Sequence, residues 1–256
     1  MKKILSLTKV FIVTLFVSSL LSSCGMFDEG DGGYEYGRAV VKITSQYNNL
    51  ELQAAYSQYG LISAFLIKQN GVIRDSYSIE YLQSYVRITA LAGENVGEIR
   101  EIYYDNLGKA VALKEGFTTI RQFEYNTSNF LMQEVNYSTS NPLVEYSYNN
   151  NTLSKILQYD LNGSELYQED MEYHHINLTY KTVGLIYLDL MYNPYNNYRP
   201  ILSLIGIAGT LPTNFAAEEG RFSGFQFDAE GYITDLVMNV EGNSYSIHFT
   251  YDDEID

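Results

Sequence analysis

Apolar and polar residues alternate along much of the chain. The clearest segments are residues 76–81 and 245–251, whose apolar positions are Tyr77, Ile79, Tyr81, Tyr245, Ile247, Phe249 and Tyr251. The positions between them hold small or charged polar residues. A period of two is typical of a β-strand with one apolar face and one face in water. The pattern therefore predicts an all-β domain.

A short motif separates these segments: an aromatic residue, then Asp or Asn, then small polar residues. Its copies begin at Tyr104, Tyr125, Tyr148 and Phe227, with looser versions at Tyr159 and Tyr251. The first three copies lie 21 and 23 residues apart, which is the length of two strands and two turns. Because Asp and Asn bond the backbone two residues on and tolerate positive φ, each copy predicts a β-hairpin turn.

Consecutive hairpins build an antiparallel meander. A long twisted sheet of this kind curls, closes into a barrel or leaves edges that must be covered. We therefore expect residues 38–256 to form a single β domain, either a strongly curved sheet or an up-and-down barrel.

Residues 181–222 interrupt the hairpin pattern and contain three of the four prolines. Their spacing predicts one short amphipathic helix from Pro200 to Gly209, with the apolar stripe Ile201, Leu204, Ile205 and Ala208. Such a stripe must be buried, so this helical insert should plug an open end of the sheet or cover an edge. A second apolar group just before it predicts a buried element of undetermined type, at Leu185, Ile186, Leu188 and Leu190.

The first 23 residues have the pattern of a secretory leader. Three lysines precede and flank an apolar run that ends at Leu21 and is too short to remain as a membrane-spanning helix. Cys24, the only cysteine, follows two serines, the arrangement at which bacterial lipoproteins are cleaved and acylated. We predict a signal peptide at residues 1–23, lipid attachment at Cys24 and a flexible acidic tether over residues 24–37.

The residues after Cys24 predict where the anchored protein resides. Position 25 is Gly rather than Asp, which by resemblance to Gram-negative lipoproteins favours the outer membrane. Asp28 and Glu29 are similar to the export tag of Bacteroidetes lipoproteins displayed on the cell surface. We expect an outer-membrane lipoprotein that contacts this membrane through its lipid anchor. The similarity to the export tag further predicts display on the cell surface.

Composition narrows the classes of partner. Cleavage of the leader removes three basic residues and no acidic ones, leaving 13 basic against 31 acidic residues and a net charge of −18. Such a chain repels phosphate backbones, so we expect no nucleic-acid partner. Once Cys24 is acylated, no thiol is left for a disulfide, a thiolate metal site or a nucleophile. The chain has 25 tyrosines and no tryptophan.

Two motifs carry a resemblance to known families. The segment 104–109, Tyr-Asp-Asn-Leu-Gly-Lys, is similar to the YD repeat of large secreted bacterial proteins. The segment 146–149, Tyr-Ser-Tyr-Asn, together with the insert around Leu202–Gly206 and Leu211-Pro212, resembles a Bacteroidetes lipoprotein family of unknown function with a porin-like fold. The resemblance covers roughly residues 60–256. It implies a porin-like meander and supplies no functional residues.

Histidines and carboxylates are the candidates for metal binding and for acid–base catalysis. His174 and His175 are adjacent, so on a strand they point to opposite faces and cannot chelate one metal ion alone. We therefore expect neither a metal site nor a cofactor. A general acid and a general base for glycoside hydrolysis are available among Glu169, Asp170 and Glu172. A strand face exposed to solvent explains these carboxylates equally well.

The insert holds the best candidate for ligand binding. Tyr195, Asn196, Asn197 and Tyr198 cluster in a predicted loop, and exposed aromatic rings stack on sugars and on partner proteins. Loops carry binding residues more often than strands do. The tyrosines within strands are expected to serve packing and cross-strand pairing.

Three functions remain open. The leading hypothesis is a non-enzymatic lipoprotein that acts as a binding or accessory module for a glycan or a protein. The second is a carrier barrel for a lipid or small apolar molecule, and the third is a degradative hydrolase. A transmembrane barrel fits less well, because charged residues interrupt the strand faces that would meet lipid, at Lys114, Glu124, Glu145 and Lys155.

Overall fold

In the computed structural model of this chain, the described residues are 38–149, 152–170, 184–192 and 222–252. They form fifteen β-strands, one α-helix (α1, Gly184–Tyr192) and one 3-10 turn (Tyr47–Asn49). The strands are β1 Ala39–Ser45, β2 Leu50–Tyr56, β3 Ile62–Gln69, β4 Val72–Tyr81, β5 Tyr85–Ala92, β6 Ile99–Tyr104, β7 Ala110–Glu115, β8 Thr118–Tyr125, β9 Leu131–Asn136, β10 Pro142–Asn149, β11 Thr152–Tyr159, β12 Glu165–Asp170, β13 Phe222–Phe227, β14 Ile233–Val240 and β15 Asn243–Asp252.

All fifteen strands belong to one antiparallel sheet. Each strand pairs with its neighbours in sequence, except that β1 pairs with β15 and that β12 and β13 form the two edges of the described sheet. In the β1–β15 pair, Ala39 lies opposite Asp252 and Ser45 opposite Ile247. The predicted all-β meander of hairpins is confirmed, and across the described strands the sheet is open rather than closed.

The two faces of the sheet differ as the sequence pattern predicts. In β4, Tyr77 and Ile79 are buried, and in β15, Ile247, Phe249 and Tyr251 are buried while their sequence neighbours are exposed. The opposite face carries cross-strand ion pairs, such as Glu51 with Lys42 and Lys68 at 3.0 and 3.1 Å. Although partial burial opposes it, the two ammonium groups hold the pKa of Glu51 below its ordinary value.

Helix α1 lies against β1 and β2 on the apolar face. Leu188, Leu190 and Met191 are buried, and the Tyr187 hydroxyl lies 2.5 Å from that of Tyr56. Arg74 of β4 donates to the Met191 carbonyl near the end of the helix at 2.9 Å. The buried element predicted at residues 185–190 is therefore this α-helix. The helix predicted from Pro200 to Gly209 lies outside the described residues.

Four hairpin turns share one geometry. They begin at Asp105, Asn126, Asp160 and Asp228. In each, the side-chain Oδ1 accepts backbone N–H bonds from the residues two and four positions on, at 2.8 to 3.0 Å. The residue three positions on has positive φ and is Gly or Asn. The predicted turn chemistry is confirmed for the copies at Tyr104, Tyr125 and Phe227 and for the looser copy at Tyr159. The turn of the copy at Tyr148 includes residues 150 and 151, which lie outside the described residues.

Tyrosines lie at the C-terminal ends of β2, β4, β6 and β10. Each phenol donates to a backbone carbonyl at or just before the start of the preceding strand, at 2.5 to 2.8 Å. The donor and acceptor pairs are Tyr56 and Val40, Tyr81 and Ile62, Tyr104 and Leu82, and Tyr148 and Leu131. Tyr251 of β15 bonds the Ile233 carbonyl in the same way, at 2.7 Å. These tyrosines therefore pack with their rings and also add a hydrogen bond between strands.

The antiparallel order assigns every turn to one of two ends of the sheet. The entry end holds Arg38, Asp252 and the turns at residues 57–61, 82–84, 105–109, 126–130 and 228–232. The far end holds the turns at residues 46–49, 70–71, 93–98, 116–117, 137–141, 160–164 and 241–242. Among the residues with described coordinates, no helix is long and apolar enough to cross a membrane.

Candidate functional site

Exposed large apolar side chains concentrate at the far end of the sheet. Nine of them lie in or next to its turns: Val72, Ile73, Leu91, Val96, Ile99, Phe117, Tyr137, Leu161 and Leu166. We call these nine residues the far rim. Among the described residues, the turns of the entry end and their flanks hold four, Tyr59, Leu107, Val111 and Met132. Phe117, at the tip of the β7–β8 hairpin, is fully exposed. Apolar side chains grouped at one end of a domain are typical of an interaction surface.

The far rim is interleaved with acidic residues. The far-end turns contain four charged residues, and all four are acidic: Glu94, Glu98, Asp160 and Glu241. Glu94 and Glu98 flank Val96 in the β5–β6 loop, Glu115 precedes Phe117 by two residues, and Glu165 precedes Leu166. Each apolar tip of these three hairpins therefore has a carboxylate beside it in sequence.

The basic residues near the far rim are partly buried. Lys68 bonds Glu51 at 3.1 Å, and Arg74 bonds Asp75 at 2.6 Å. Arg100 has 17 % of its side chain exposed, and it lies 3.1 Å from Glu115 and 3.5 Å from Glu98. Lys114, next to Glu115, lies over the Tyr103 ring. Arg100 thus neutralises part of the acidic charge, and the charged residues within the far-end turns themselves are carboxylates.

An aromatic cluster lies at the far end where α1 finishes. The ring of Tyr47 is 5.1 Å from that of Tyr245 and 6.1 Å from that of Tyr192, the last residue of α1. The Tyr192 hydroxyl donates to Ser45 Oγ at 2.6 Å. Three tyrosines from the β1–β2 turn, β15 and α1 therefore meet at the point where the chain leaves the helix. The predicted ligand loop, Tyr195 to Tyr198, lies outside the described residues.

A second aromatic group lies on the polar face. Tyr85 and Tyr103 stack with centroids 4.9 Å apart, and Lys114 Nζ lies 4.0 Å from the Tyr103 centroid on the ring face. Arg87 lies over Tyr85 at 5.5 Å and bonds Glu101 at 2.8 Å. These contacts already occupy the Tyr103 ring, so it is not available to stack on a sugar.

A fully buried carboxylate forms an ion pair on the apolar face of β8 and β9. Glu134 of β9 has no exposed surface, and its carboxylate accepts bonds from Arg121 at 2.7 Å and from the Tyr146 hydroxyl at 2.6 Å. Strands β8, β9 and β10 place these three side chains on the same face as Phe123 and Val144. The buried carboxylate of Glu134 therefore has a cation and a phenol as hydrogen-bond partners. This arrangement is typical of an ion pair that supports the fold.

The residues predicted as sites of chemistry are not brought together by the described structure. His174, His175, Glu172 and Cys24 lie outside the described residues, and Glu169 and Asp170 belong to β12. The remaining histidine, His248, is exposed and lies 2.8 Å from Asp235. Within the described ranges, no group of three His, Cys, Asp or Glu is close enough to hold a metal ion.

The far rim is a feature that was not predicted from the sequence. Each of its residues is an ordinary apolar residue near a turn, and scattered exposed apolar residues need no explanation. The sequence does contain a signal for it. Every second turn of a meander lies at the same end of the sheet, so apolar residues in alternate turns share one surface.

Comparison with solved structures supports the fold. The chain is similar to the crystal structure of a porin-like protein from Bacteroides uniformis ATCC 8492, with a TM-score of 0.52, 16% identity, and coverage of 83% of this chain and 98% of that one. It is also similar to a porin-like protein from Bacteroides vulgatus ATCC 8482, with a TM-score of 0.51, 13% identity, and coverage of 84% and 99%. No protein-family model and no curated protein matches the sequence. At these identities the likeness establishes a porin-like β fold.

Proposed function

We propose that this chain is a non-enzymatic lipoprotein of the outer membrane that binds a protein or a glycan through the far rim. The observation that carries the proposal is the grouping of nine exposed apolar side chains at one end of the described sheet, against four at the turns of the other end and their flanks. Large exposed apolar groups on a folded domain mark interaction sites or cause aggregation, and the charge of the mature chain opposes aggregation.

The leader supports the anchoring part of the proposal. A basic segment, a short apolar run and Cys24 after two serines follow the pattern of acylated bacterial proteins. The porin-like fold of the Bacteroides neighbours is in keeping with an outer-membrane setting. The described chain enters the sheet at Arg38 and Ala39, at the entry end, and the far rim lies at the other end of β1.

A carrier function receives less support. A preformed ligand cavity leaves its lining side chains accessible to a water-sized sphere. Apolar side chains from strands across the sheet have no accessible surface, including Val40, Leu52, Ile67, Val86, Ile102, Leu131, Ile156, Ile233 and Ile247. These positions are buried as in a protein core rather than lining an accessible cavity.

The anchor is tested by labelling cells with radioactive palmitate and fractionating their membranes. We expect label in the wild-type protein and in the outer-membrane fraction, and loss of both in Cys24→Ala. Protease added to intact cells tests display, because a surface protein is degraded and a periplasmic one survives. Unlabelled wild-type protein recovered from the soluble fraction would refute the anchor.

The binding function is tested with the mature lipidated protein on a glycan array and in capture experiments from outer-membrane extract. The variant pair Val96→Ser and Phe117→Ser removes two exposed apolar groups from the far rim. The matched control is Tyr59→Ser with Leu107→Ser, two exposed residues of the entry-end turns. A ligand held by wild type and control but lost by the far-rim variant supports the proposal. A ligand held equally by all three refutes the role of the far rim, and turnover of a polysaccharide or peptide abolished by one carboxylate substitution refutes the non-enzymatic assignment.

A further inference from the structure

We infer that the partner of the far rim is a basic amphipathic helix of another protein, which lies across the hairpin tips. This inference rests on the proposed binding function and names the class of partner. It combines three features of the described residues: the apolar tips, the sign of the charges between them and the spacing of the hairpins.

The charges select a basic partner. Glu94 and Glu98 on either side of Val96, and Glu115 beside Phe117, place carboxylates within one or two residues of each apolar tip. Arg100 is the basic side chain that contacts two of them, and it is mostly buried. A partner that buries Val96 and Phe117 must also face these carboxylates. Lysine or arginine beside its apolar residues meets them with opposite charge, whereas acidic residues there would be repelled.

The same charges disfavour two other occupants. A second copy of the chain joined far end to far end would bring Glu94, Glu98 and Glu115 against their own counterparts, and the mature chain carries a net charge of −18. An anionic bilayer presents phosphate groups to the same carboxylates. Surfaces that bind anionic lipid carry clusters of lysine and arginine, and the far-end turns contain neither.

The spacing of the hairpins fits a helix. Neighbouring strands lie about 4.8 Å apart, so successive hairpin tips of the far end are separated by about 10 Å. A helix rises about 1.5 Å per residue, so residues seven apart are separated by about 10.5 Å along its axis. One apolar residue per heptad would therefore meet the β5–β6 tip at Val96 and the β7–β8 tip at Phe117 in turn. Lysines on the flanks of that stripe would face the carboxylates.

The test uses mature lipidated protein in nanodiscs of neutral phosphatidylcholine, with empty nanodiscs subtracted. Three fluorescein-labelled peptides of about 21 residues, enough for three heptads, are compared by anisotropy. One carries leucine and lysine in an amphipathic heptad pattern, one replaces every lysine with glutamate, and one replaces every leucine with serine. We expect the leucine–lysine peptide to bind at least about tenfold more tightly than either of the others, and to weaken as salt is raised.

Variants of the protein locate the site. Val96→Ser with Phe117→Ser should weaken binding of the leucine–lysine peptide at least about tenfold, as expected for the loss of apolar anchors. Glu94→Gln with Glu98→Gln should weaken it and flatten its salt dependence. Tyr59→Ser with Leu107→Ser should leave it unchanged. Equal binding of the glutamate peptide, or equal binding by the far-rim variant, overturns the inference.

The other occupants give distinct results. Self-association in sedimentation that disappears in the far-rim variant would assign the surface to a second copy and overturn the inference. Binding to added phosphatidylglycerol vesicles that disappears in the same variant would assign it to lipid and overturn the inference as well. Capture of a partner that depends on the far rim, with none of the peptides bound, would refute the basic helix and leave the proposed binding function standing. Capture that ignores the far rim would refute both.

Discussion

At the scale of single residues, the Asp or Asn that opens a turn is the feature that sequence and structure share most directly. Asp105 Oδ1 accepts the backbone N–H groups of Leu107 and Lys109, both at 2.9 Å. Asp105→Ala removes both acceptors, so we expect the free energy of unfolding to fall by about 1 to 2 kcal/mol. Asp105→Asn should cost less than about 0.5 kcal/mol, because Asn126 makes the same two bonds in its own turn.

Urea unfolding followed by circular dichroism measures both variants. Leu107→Ala, in the same turn and with an exposed side chain, should unfold like the wild type. An Asn variant as unstable as the Ala variant would mean that the carboxylate charge, rather than the acceptor geometry, holds the turn.

Buried tyrosines predict a dependence of stability on alkaline pH. Burial raises the pKa of Tyr187 to about 12, in spite of its hydrogen bond with Tyr56, and burial also raises the pKa of Tyr56. An unfolded chain loses the tyrosine proton near pH 10. The folded state holds this proton more tightly, so its contribution is complete below about pH 10 and is lost as the pH rises towards about 12.

Urea unfolding at several values between pH 8 and pH 12 tests this dependence. Above pH 10 each such tyrosine contributes a fall of up to about 1.4 kcal/mol per pH unit. Tyr187→Phe should reduce the steepness of the fall, whereas Tyr59→Phe, at an exposed turn, should leave it unchanged. Identical alkaline profiles for wild type and Tyr187→Phe would contradict the assignment.

At the scale of elements, several strands are held by more than their ladders of backbone bonds. The phenols of Tyr56, Tyr81, Tyr104 and Tyr148 each bond a backbone carbonyl of an earlier segment at the entry end. In the pair Tyr104-Asp105 two roles are adjacent in sequence, since the Tyr104 ring joins neighbouring hairpins and Asp105 closes the turn.

Strands β8, β9 and β10 share the buried ion pair, which allows a sharper test. Arg121→Met removes the cation beside Glu134, a carboxylate with no exposed surface, and we expect a loss of about 3 to 5 kcal/mol. The double variant Arg121→Met with Glu134→Met removes both charges and should recover much of that loss, because apolar side chains can fill such a site. A double-mutant cycle in urea measures the coupling. Losses that simply add would show that the two charges do not depend on each other.

At the scale of the whole molecule, the sequence predicted what local patterns determine. Alternation of period two and the turn residues are properties of a few neighbouring positions, so the hairpins and their order followed from them. The helical state of α1 could not be predicted in this way. Its run of Leu, Ile, Tyr and Met is apolar on all sides, so no helical period can be read from it. The far rim follows from the order of the turns only once the meander is known, because alternate turns fall at the same end. The pairing of β1 with β15 joins residues distant in the chain, and no local pattern encodes it.

The β1–β15 pair joins the first and last described strands, which places the two ends of the β domain side by side. Ala39 lies opposite Asp252, and paired residues of antiparallel strands have Cα atoms about 5 Å apart. A short Gly-Ser linker between Asp256 and Arg38 should therefore join the ends without strain. New ends can be opened between Gly116 and Phe117, where the β7–β8 tip is exposed and no ladder bond is cut.

We expect this circular permutant of residues 38–256 to fold with a free energy of unfolding within about 1 kcal/mol of the unpermuted domain. In the permutant the long-range pairing of β1 with β15 becomes local, and the local pairing of β7 with β8 becomes long-range. Because loop-closure entropy changes slowly with loop length, these two changes nearly cancel. Hydrogen exchange should protect the amides of Thr44 and His248, which form a hydrogen-bonded pair across β1 and β15. A control opened between Ile88 and Thr89, inside β5, cuts two ladders and should not fold. Unprotected amides at Thr44 and His248 in the folded permutant would contradict the pairing on which the order of the sheet depends.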